Sequence, residues 1–116
     1  MRQKDPKTKC IKRKLSKCEK VCRTYDKVQT AYADLLEANN GIISFQCNVP
    51  LEDNSIGNYM TDFVCVKEDG SVIVRECVYR KNLFRPKTIT LLDFSQHYWY
   101  QRGVTDWKVV IDREEK

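Results

Sequence analysis

The sequence predicts a single α/β domain in which a mixed β-sheet lies between two helices. Apolar patterns follow the order helix, three strands, helix, strand, with no internal repeat or interdomain linker between them. The chain has 116 residues, 41% of them hydrophobic, which suits one core of modest size. A helix that leads into a strand pair, followed by a second helix that crosses to a last strand, produces this sandwich.

The first predicted helix covers residues 26–41, DKVQTAYADLLEANNG. Asp26 is a suitable N-cap, and the Asn39-Asn40-Gly41 run is typical of a helix end. The apolar residues recur at helical spacing: Val28, Ala31, Tyr32, Leu35 and Leu36.

Three strands are predicted next. Residues 41–51, GIISFQCNVPL, form a strand that ends near Pro50 and leads into the polar loop 52–58. Residues 59–79, YMTDFVCVKEDGSVIVRECVY, contain two β-branched runs on either side of Glu68-Asp69-Gly70. This pattern predicts a β-hairpin at the centre of the sheet.

The C-terminal part predicts a helix from Arg85 to Gly103 and a last strand over 106–112. Pro86 suits the first turn of the helix, and Gly103 suits its end. The aromatic run HYWY at 97–100 favours packing of the helix on the sheet over a stacking platform for nucleic-acid bases.

Positive charge is concentrated at the N-terminus. Residues 1–27 contain eleven Lys or Arg and three acidic residues, whereas the remainder contains ten basic and thirteen acidic residues. We therefore divide the chain into a basic arm or helix, residues 1–23, and a folded domain, residues 24–116. Such an arm binds polyanions or is a solvated terminus, and charge alone leaves both open. No apolar run predicts a membrane anchor or a signal peptide, so a cytoplasmic protein is expected.

The six cysteines are expected to be reduced in that compartment. If residues 11–23 are helical, Cys18 and Cys22 lie one turn apart and can share a metal with Cys10, with Cys47 or His97 as the fourth ligand. The alternative is that these thiols are small apolar side chains in the core. Cys47, like Cys65 and Cys77, lies in a predicted strand.

Two carboxylates fall in the predicted hairpin. Asp62 heads its first strand, and Glu76 lies in the second, where side chains alternate between the two faces. If Glu37 joins them from the first helix, the three acids form an oxygen site suited to Mg²⁺ or Mn²⁺, which stabilises charge on a phosphate and activates water. The alternative is that these acids are surface residues.

Three ordered segments resemble one family. AYADLLEANNGIISFQCNVPL, YMTDFVCV and RPKTITLLDFSQHYWYQRGVTDWKVVID are similar to the N-terminal catalytic domain of TnsA-type transposon endonucleases, a branch of the PD-(D/E)xK nucleases. The resemblance runs from about Thr24 to the end of the chain. It implies a restriction-endonuclease-like sandwich.

The resemblance implies a protein of a mobile element that uses Mg²⁺ or Mn²⁺ to cleave DNA at transposon ends, together with a separate transposase. Glu37, Asp62 and Glu76 match the family's acidic positions. Val78 stands where the family has a lysine, and an aliphatic side chain neither orients water nor stabilises charge. A cation or polar group from elsewhere in the chain can take the place of this lysine, and the candidates are Arg80, Lys81, Lys87, Gln96 and His97.

Two functions therefore remain open. One is an endonuclease with a degenerate active site; the other is an inactive nuclease-fold protein that binds DNA or a protein partner, as an architectural subunit or an inhibitor. DNA and a transposase or other protein are the expected partners, and a homodimer is possible in this class. The expected DNA contacts are Lys12, Arg13, Lys14, Lys17, Lys20, Arg80, Lys81, Arg85 and Lys87.

Overall fold

The computed structural model describes residues 2–3, 10–52, 55, 57 and 59–112. The predicted order of helix, three strands, helix and strand is confirmed, and three short strands precede it. The elements are β1 Arg2–Gln3, β2 Ile11–Arg13, β3 Cys22–Thr24, α1 Lys27–Ala38, β4 Ile42–Pro50, β5 Tyr59–Lys67, β6 Val72–Val78, a 3-10 turn Arg80–Asn82, α2 Pro86–Gln101 and β7 Trp107–Ile111.

The start of α1 follows the sequence signal. The side chain of Asp26 accepts a hydrogen bond from the backbone N–H of Gln29 at 2.8 Å, which satisfies one of the unpaired donors of the first turn. The helix ends at Ala38, where Asn39 donates its backbone N–H to the carbonyl of Leu36.

The main sheet is mixed, as predicted. β5 pairs with β4 and β6 in antiparallel fashion, and β7 pairs with β6 in parallel. β5 and β6 are therefore the central strands, with β4 and β7 at the edges. Gly70 lies in the tight turn that joins β5 and β6. Its φ is +85°, a conformation that glycine adopts without strain.

The two helices cover opposite faces of the sheet. Alternating residues of β6, such as Ile73 and Cys77, lie in the core cluster that includes Val28 and Leu36 of α1. The side chain of Glu76, which points the other way, contacts Ser95 of α2. The result is a sheet between two helices, as predicted.

The N-terminal segment differs from the prediction. The prediction that residues 11–23 are helical is wrong, because β2 and β3 form an antiparallel hairpin. This hairpin packs on the body: Cys22 is fully buried in the α1 core cluster, and Lys17 accepts a hydrogen bond at its carbonyl from the N–H of Phe45 in β4. The buried Cys22 and this backbone hydrogen bond, rather than an amphipathic helix, therefore hold the segment against the body. Of the predicted arm, residues 1 and 4–9 lie outside the described residues.

The strands β5 and β6 part at one end. Their paired residues run from Val66 and Val72 to Phe63 and Arg75. Beyond it, Met60 pairs with Pro50 of β4 on one edge and with Arg2 of β1 on the other. β1 therefore lies along the edge of β5 that β6 has left.

Neither helix in the described part of the chain is both long and apolar enough to span a bilayer. Parts of the predicted 52–58 loop (53, 54, 56 and 58) and the C-terminal residues 113–116 lie outside the described residues.

Candidate functional site

Asp62 and Glu76 lie where β5 and β6 part. Each carboxylate accepts a hydrogen bond from a backbone N–H of the opposite strand: Glu76 Oε1 from Asp62 at 2.8 Å, and Asp62 Oδ2 from Cys77 at 2.6 Å. Both residues are buried, with exposed fractions of 2% for Asp62 and 0% for Glu76. The carboxylates thus satisfy backbone donors that the interrupted ladder leaves unpaired.

The other oxygen of Asp62 is directed to α1. Oδ1 accepts from the Nε2 of Gln29 at 3.2 Å, and the same amide nitrogen donates to Asn48 Oδ1 at 2.9 Å. Asn48 lies between the β4 residues that pair with Phe63 and Thr61, so it lies opposite Asp62. Its φ of +55° lies in the left-handed region, which is unusual for a residue other than glycine.

The other oxygen of Glu76 is directed to α2. Oε2 accepts hydrogen bonds from the hydroxyls of Tyr59 at 2.6 Å, Ser95 at 2.5 Å and Thr61 at 3.2 Å. Two indoles extend this network, since Trp107 donates to Ser95 Oγ and Trp99 donates to Thr61 Oγ1. Glu76 therefore connects β5, β6, α2 and, through Trp107, β7.

Burial raises the pKa of Glu76, because the charged form loses its hydration, and the hydroxyl hydrogen bonds from Ser95, Tyr59 and Thr61 oppose that shift. Burial, followed by the neighbouring Glu76 carboxylate, raises the pKa of Tyr59. The side chains form a satisfied buried polar network, and in this arrangement they present no exposed carboxylate face to a substrate.

Glu37 does not join this pair. Both of its oxygens contact the turn after β2: Oε1 accepts from Ser16 Oγ at 2.7 Å and from the N–H of Lys17 at 3.0 Å, while Oε2 accepts from the N–H of Ser16 at 3.1 Å. Eight residues along α1 separate Glu37 from Gln29, a rise of about 12 Å. The helix residue that contacts Asp62 is therefore Gln29, and the predicted grouping of three acids is not formed.

The side chains considered as replacements for the missing lysine are exposed, whereas the carboxylate pair is buried. Val78 is 6% exposed and packs within the sheet. All of the candidates to replace this lysine are exposed: Arg80, Lys81, Lys87, Gln96 and His97. The α2 residue that reaches Glu76 is Ser95.

The predicted DNA-contacting residues of the N-terminal segment divide into two groups. Arg13 forms an ion pair with Asp34 at 2.5 Å, and Lys17 Nζ donates to the carbonyls of Leu36 and Asn39 at the end of α1. These two cations stabilise the fold locally. The other three are exposed: Lys12, Lys14 and Lys20.

The four cations predicted to contact DNA after β6 are all exposed, as is the neighbouring Phe84, and we call these five residues the basic corner: Arg80, Lys81, Phe84, Arg85 and Lys87. Phe84 is 82% exposed and therefore lies outside the core. Tyr79, just before the corner, is half-buried, and its hydroxyl accepts from the N–H of Lys27 at 3.2 Å.

The N-terminus of α2 lies within the basic corner. No acidic residue is present in its first turn, and no side chain caps it. The positive end of the helix dipole therefore adds to the charge of the neighbouring cations. In the aromatic run at 97–100, Tyr98 is buried and Trp99 is bonded to Thr61, which matches the predicted packing, whereas His97 and Tyr100 are exposed.

A second cluster of ionisable groups lies where the N-terminal hairpin packs against β4. The Sγ atoms of Cys18, Cys22 and Cys47 all lie within 4.8 Å of one another. They come from the turn after β2, from β3 and from β4. Cys10 and His97, the other ligands considered from the sequence, are not in this group, and all six cysteines are free thiols.

The three thiols ionise differently. Hydrogen bonding from Cys22 lowers the pKa of Cys47 to about 7, with further help from the N–H of Arg23 and from Cys18. Burial raises the pKa of Cys18 to about 12, and hydrogen bonding to Cys47 with burial raises that of Cys22. Cys47 is therefore the thiolate of the group near neutral pH.

A comparison with models of protein families found no match to this chain, and a search of curated proteins found none either. The resemblance to TnsA-type nucleases therefore stays a prediction.

Sequence patterns missed several residues that the structure places at these sites. Gln29 has a polar side chain at a position one helical turn before the buried Ala33, which is the pattern of a buried polar residue on a helix. Ser95 is similarly placed three residues before the buried Tyr98. Neither pattern names its partner, because both contacts join segments distant in sequence.

Proposed function

We propose that this protein has a nuclease-like fold, binds DNA through the basic corner and does not cleave it. The observation that carries the proposal is the contrast between an exposed cationic surface and a buried, hydrogen-bonded carboxylate pair. Arg80, Lys81, Arg85 and Lys87 are exposed within eight residues of chain. Cations of this kind bind phosphates and release condensed counterions.

Phe84 gives the basic corner a second mode of contact. An aromatic ring that is 82% exposed and flanked by cations is suited to stack on an unpaired base. Stacking contributes about 1–3 kcal/mol per base and is tolerant of sequence. We therefore expect single-stranded or frayed DNA ends to bind more tightly than intact duplex.

The absence of cleavage follows from the carboxylates. A catalytic Mg²⁺ needs carboxylate oxygens that are available together with water and substrate phosphate. Here Asp62 and Glu76 accept hydrogen bonds from the protein, and their second oxygens are directed to different helices. We expect the pair to have become a structural connection in this chain.

The test is DNA binding by fluorescence anisotropy, over a series of salt concentrations, in EDTA and in Mg²⁺. The Lys81→Gln and Arg85→Gln variants should each lower the magnitude of the log–log salt slope by about 1. Lys67→Gln is the matched control. Lys67 lies beside the turn between β5 and β6, whereas the basic corner follows the other end of β6. Equal slopes for wild type and both corner variants would contradict the proposed surface.

A second candidate, the Mg²⁺- or Mn²⁺-dependent endonuclease, is favoured by one observation. Asp62 and Glu76 lie on neighbouring strands, and the basic corner begins four residues after Glu76. Nicking of supercoiled plasmid by wild type, lost in Asp62→Asn and Glu76→Gln variants that still bind DNA, would establish this function. The predicted transposase or other protein partner and the homodimer stay predictions.

A further inference from the structure

We propose that Cys18, Cys22 and Cys47 form a Zn²⁺ site with three protein thiolates and a fourth position open to solvent. The site is separate from the DNA-binding function proposed above and does not depend on it. The set is called the thiol cluster below.

The spacing of the sulfurs fits a metal. Zn–S bonds of about 2.3 Å in a tetrahedral site place two sulfurs about 3.8 Å apart. The three Sγ atoms of the thiol cluster lie within 4.8 Å of one another, so a contraction of about 1 Å or less brings them to that spacing. Small rotations of three side chains can supply this movement.

The backbone around the thiol cluster is already ordered by other contacts. Glu37 accepts hydrogen bonds from the N–H groups of Ser16 and Lys17, just before Cys18. The carbonyl of Lys17 in turn accepts from the N–H of Phe45, two residues before Cys47. Because these contacts fix the spacing of the turn against β4, a metal has less chain entropy to overcome on binding.

The fourth position faces a small groove. Cys22 is fully buried, but Cys18 and Cys47 are half-buried and line a depression of about 140 Å³. Glu19 and Asn48 also line this depression. A site with three protein ligands that opens to solvent retains a place for water or for an external ligand.

A cation stands beside the thiol cluster. Arg13 is the direct cross-strand neighbour of Cys22 in the hairpin. Its Nε is buried and has no hydrogen-bond partner among the described residues, although its Nη1 pairs with Asp34. Three thiolates and one Zn²⁺ carry a net charge of −1, which the neighbouring guanidinium offsets.

Ionisation sets the pH dependence of binding. Zn²⁺ binds thiolates, so those thiols of the cluster that carry protons must release them when the metal binds. Affinity for Zn²⁺ should therefore increase with pH, and binding should release protons into weakly buffered solution.

The test is titration of the reduced full chain with Co²⁺, whose absorption reports tetrahedral thiolate coordination, followed by displacement with Zn²⁺. We expect one equivalent to bind to wild type and to Cys10→Ser, a control that changes a thiol outside the thiol cluster. Cys18→Ser and Cys47→Ser should weaken binding by more than the roughly 10- to 100-fold typical of a change to an outer-shell partner. Arg13→Gln should weaken it by about 10-fold, whereas the neighbouring Lys12→Gln should not.

A second measurement does not depend on the variants being folded. Zn²⁺ should protect three thiols of the wild-type chain from alkylation, and peptide mass spectrometry should identify them as Cys18, Cys22 and Cys47. Failure of wild type to bind either metal at stoichiometric concentration, or protection of other cysteines in their place, would overturn the proposal.

Discussion

The carboxylate pair and the thiol cluster are both groups of potential metal ligands, but they differ in what their ligand atoms contact. Around Asp62 and Glu76, backbone N–H groups, hydroxyls and an amide occupy the oxygens. The sulfurs of the thiol cluster lie within 4.8 Å of one another, and two of the three residues are half-buried. The carboxylates are the stronger ligands for Mg²⁺, but their oxygens are less available than the sulfurs of the thiol cluster.

This difference shows that residue type alone does not define a metal site. Asp62 and Glu76 have the right chemistry for Mg²⁺, yet the parted strands provide backbone donors that compete for the same lone pairs. Thiols are weak hydrogen-bond acceptors, so their neighbours do not satisfy them as fully. A group of thiols therefore retains more capacity for a metal than a group of carboxylates buried to the same extent.

Truncation of Glu76 should have the largest effect. Glu76→Ala removes the acceptor shared by Asp62 N–H, Tyr59 and Ser95 and leaves a cavity, so we expect a loss of about 3–4 kcal/mol in the free energy of unfolding. Glu76→Gln keeps the shape and should cost less than about 1.5 kcal/mol. Urea denaturation monitored by circular dichroism measures both.

The pH dependence of the free energy of unfolding, compared between wild type and Glu76→Gln, tests the protonation of Glu76. Since its folded pKa is raised above the usual 4.5, its contribution to stability is fully present below that value and is lost as pH rises through the folded pKa. Wild type should therefore lose stability relative to Glu76→Gln between acid and neutral pH. A constant difference across that range would contradict the raised pKa.

Metal addition compares the two sites directly. Zn²⁺ at 100 times its dissociation constant should raise the free energy of unfolding by about 2.7 kcal/mol. The same concentration of Mg²⁺ should have no effect, because the oxygens of Asp62 and Glu76 are already bonded within the protein. Thermal denaturation of wild type and Cys47→Ser measures the effect, and stabilisation by Mg²⁺ alone would reverse the comparison.

Gln29 is the donor that directs Asp62 away from Glu76. Gln29→Ala should destabilise the fold by about 1–3 kcal/mol, because Asp62 Oδ1 and Asn48 lose a buried partner. Gln96→Ala, an exposed change of the same type on α2, should alter stability by less than about 0.5 kcal/mol. Similar effects of the two substitutions, measured by urea denaturation, would show that the Gln29 contact is not structural.

Cys47 should be the most reactive thiol of the thiol cluster in metal-free protein. Because its thiolate forms as pH rises through about 7, its rate of alkylation by iodoacetamide should increase with a midpoint near that pH. Cys18, with a pKa near 12, should react slowly throughout that range. Mass spectrometry of quenched samples measures each rate, and buried Cys65 is the internal control. A midpoint near the ordinary value for Cys47 would remove the distinction between the two thiols.

Local signals in the sequence were sufficient for most of the fold. Asp26 as the cap of α1, Gly70 in the hairpin turn and Pro86 in the first turn of α2 are all confirmed, because each acts through residues near it in the chain. The N-terminal hairpin was missed. Its strands are three residues each, too short to show a period of two, and Cys22 is buried by contacts with residues far along the chain.

The candidate sites were predictable only in part. The sequence placed Asp62 near Glu76, because the hairpin register follows from its turn. It did not place Gln29 and Ser95, which two helices bring to the pair, nor did it separate Glu37 from it. The convergence of Cys18, Cys22 and Cys47 likewise depends on how the hairpin packs against β4, which no local pattern encodes.

The position of β7 at the sheet edge has a consequence for hydrogen exchange. β7 pairs only with β6 among the described strands, and its Trp107 indole is bonded to Ser95, which in turn is bonded to Glu76. Local opening of this edge would admit water to a carboxyl whose pKa is raised by burial, so the opened form would ionise and be favoured as pH increases. The amides of β7 should therefore lose protection at higher pH beyond the change expected from chemical exchange alone, making this strand a sensor of the proton on Glu76.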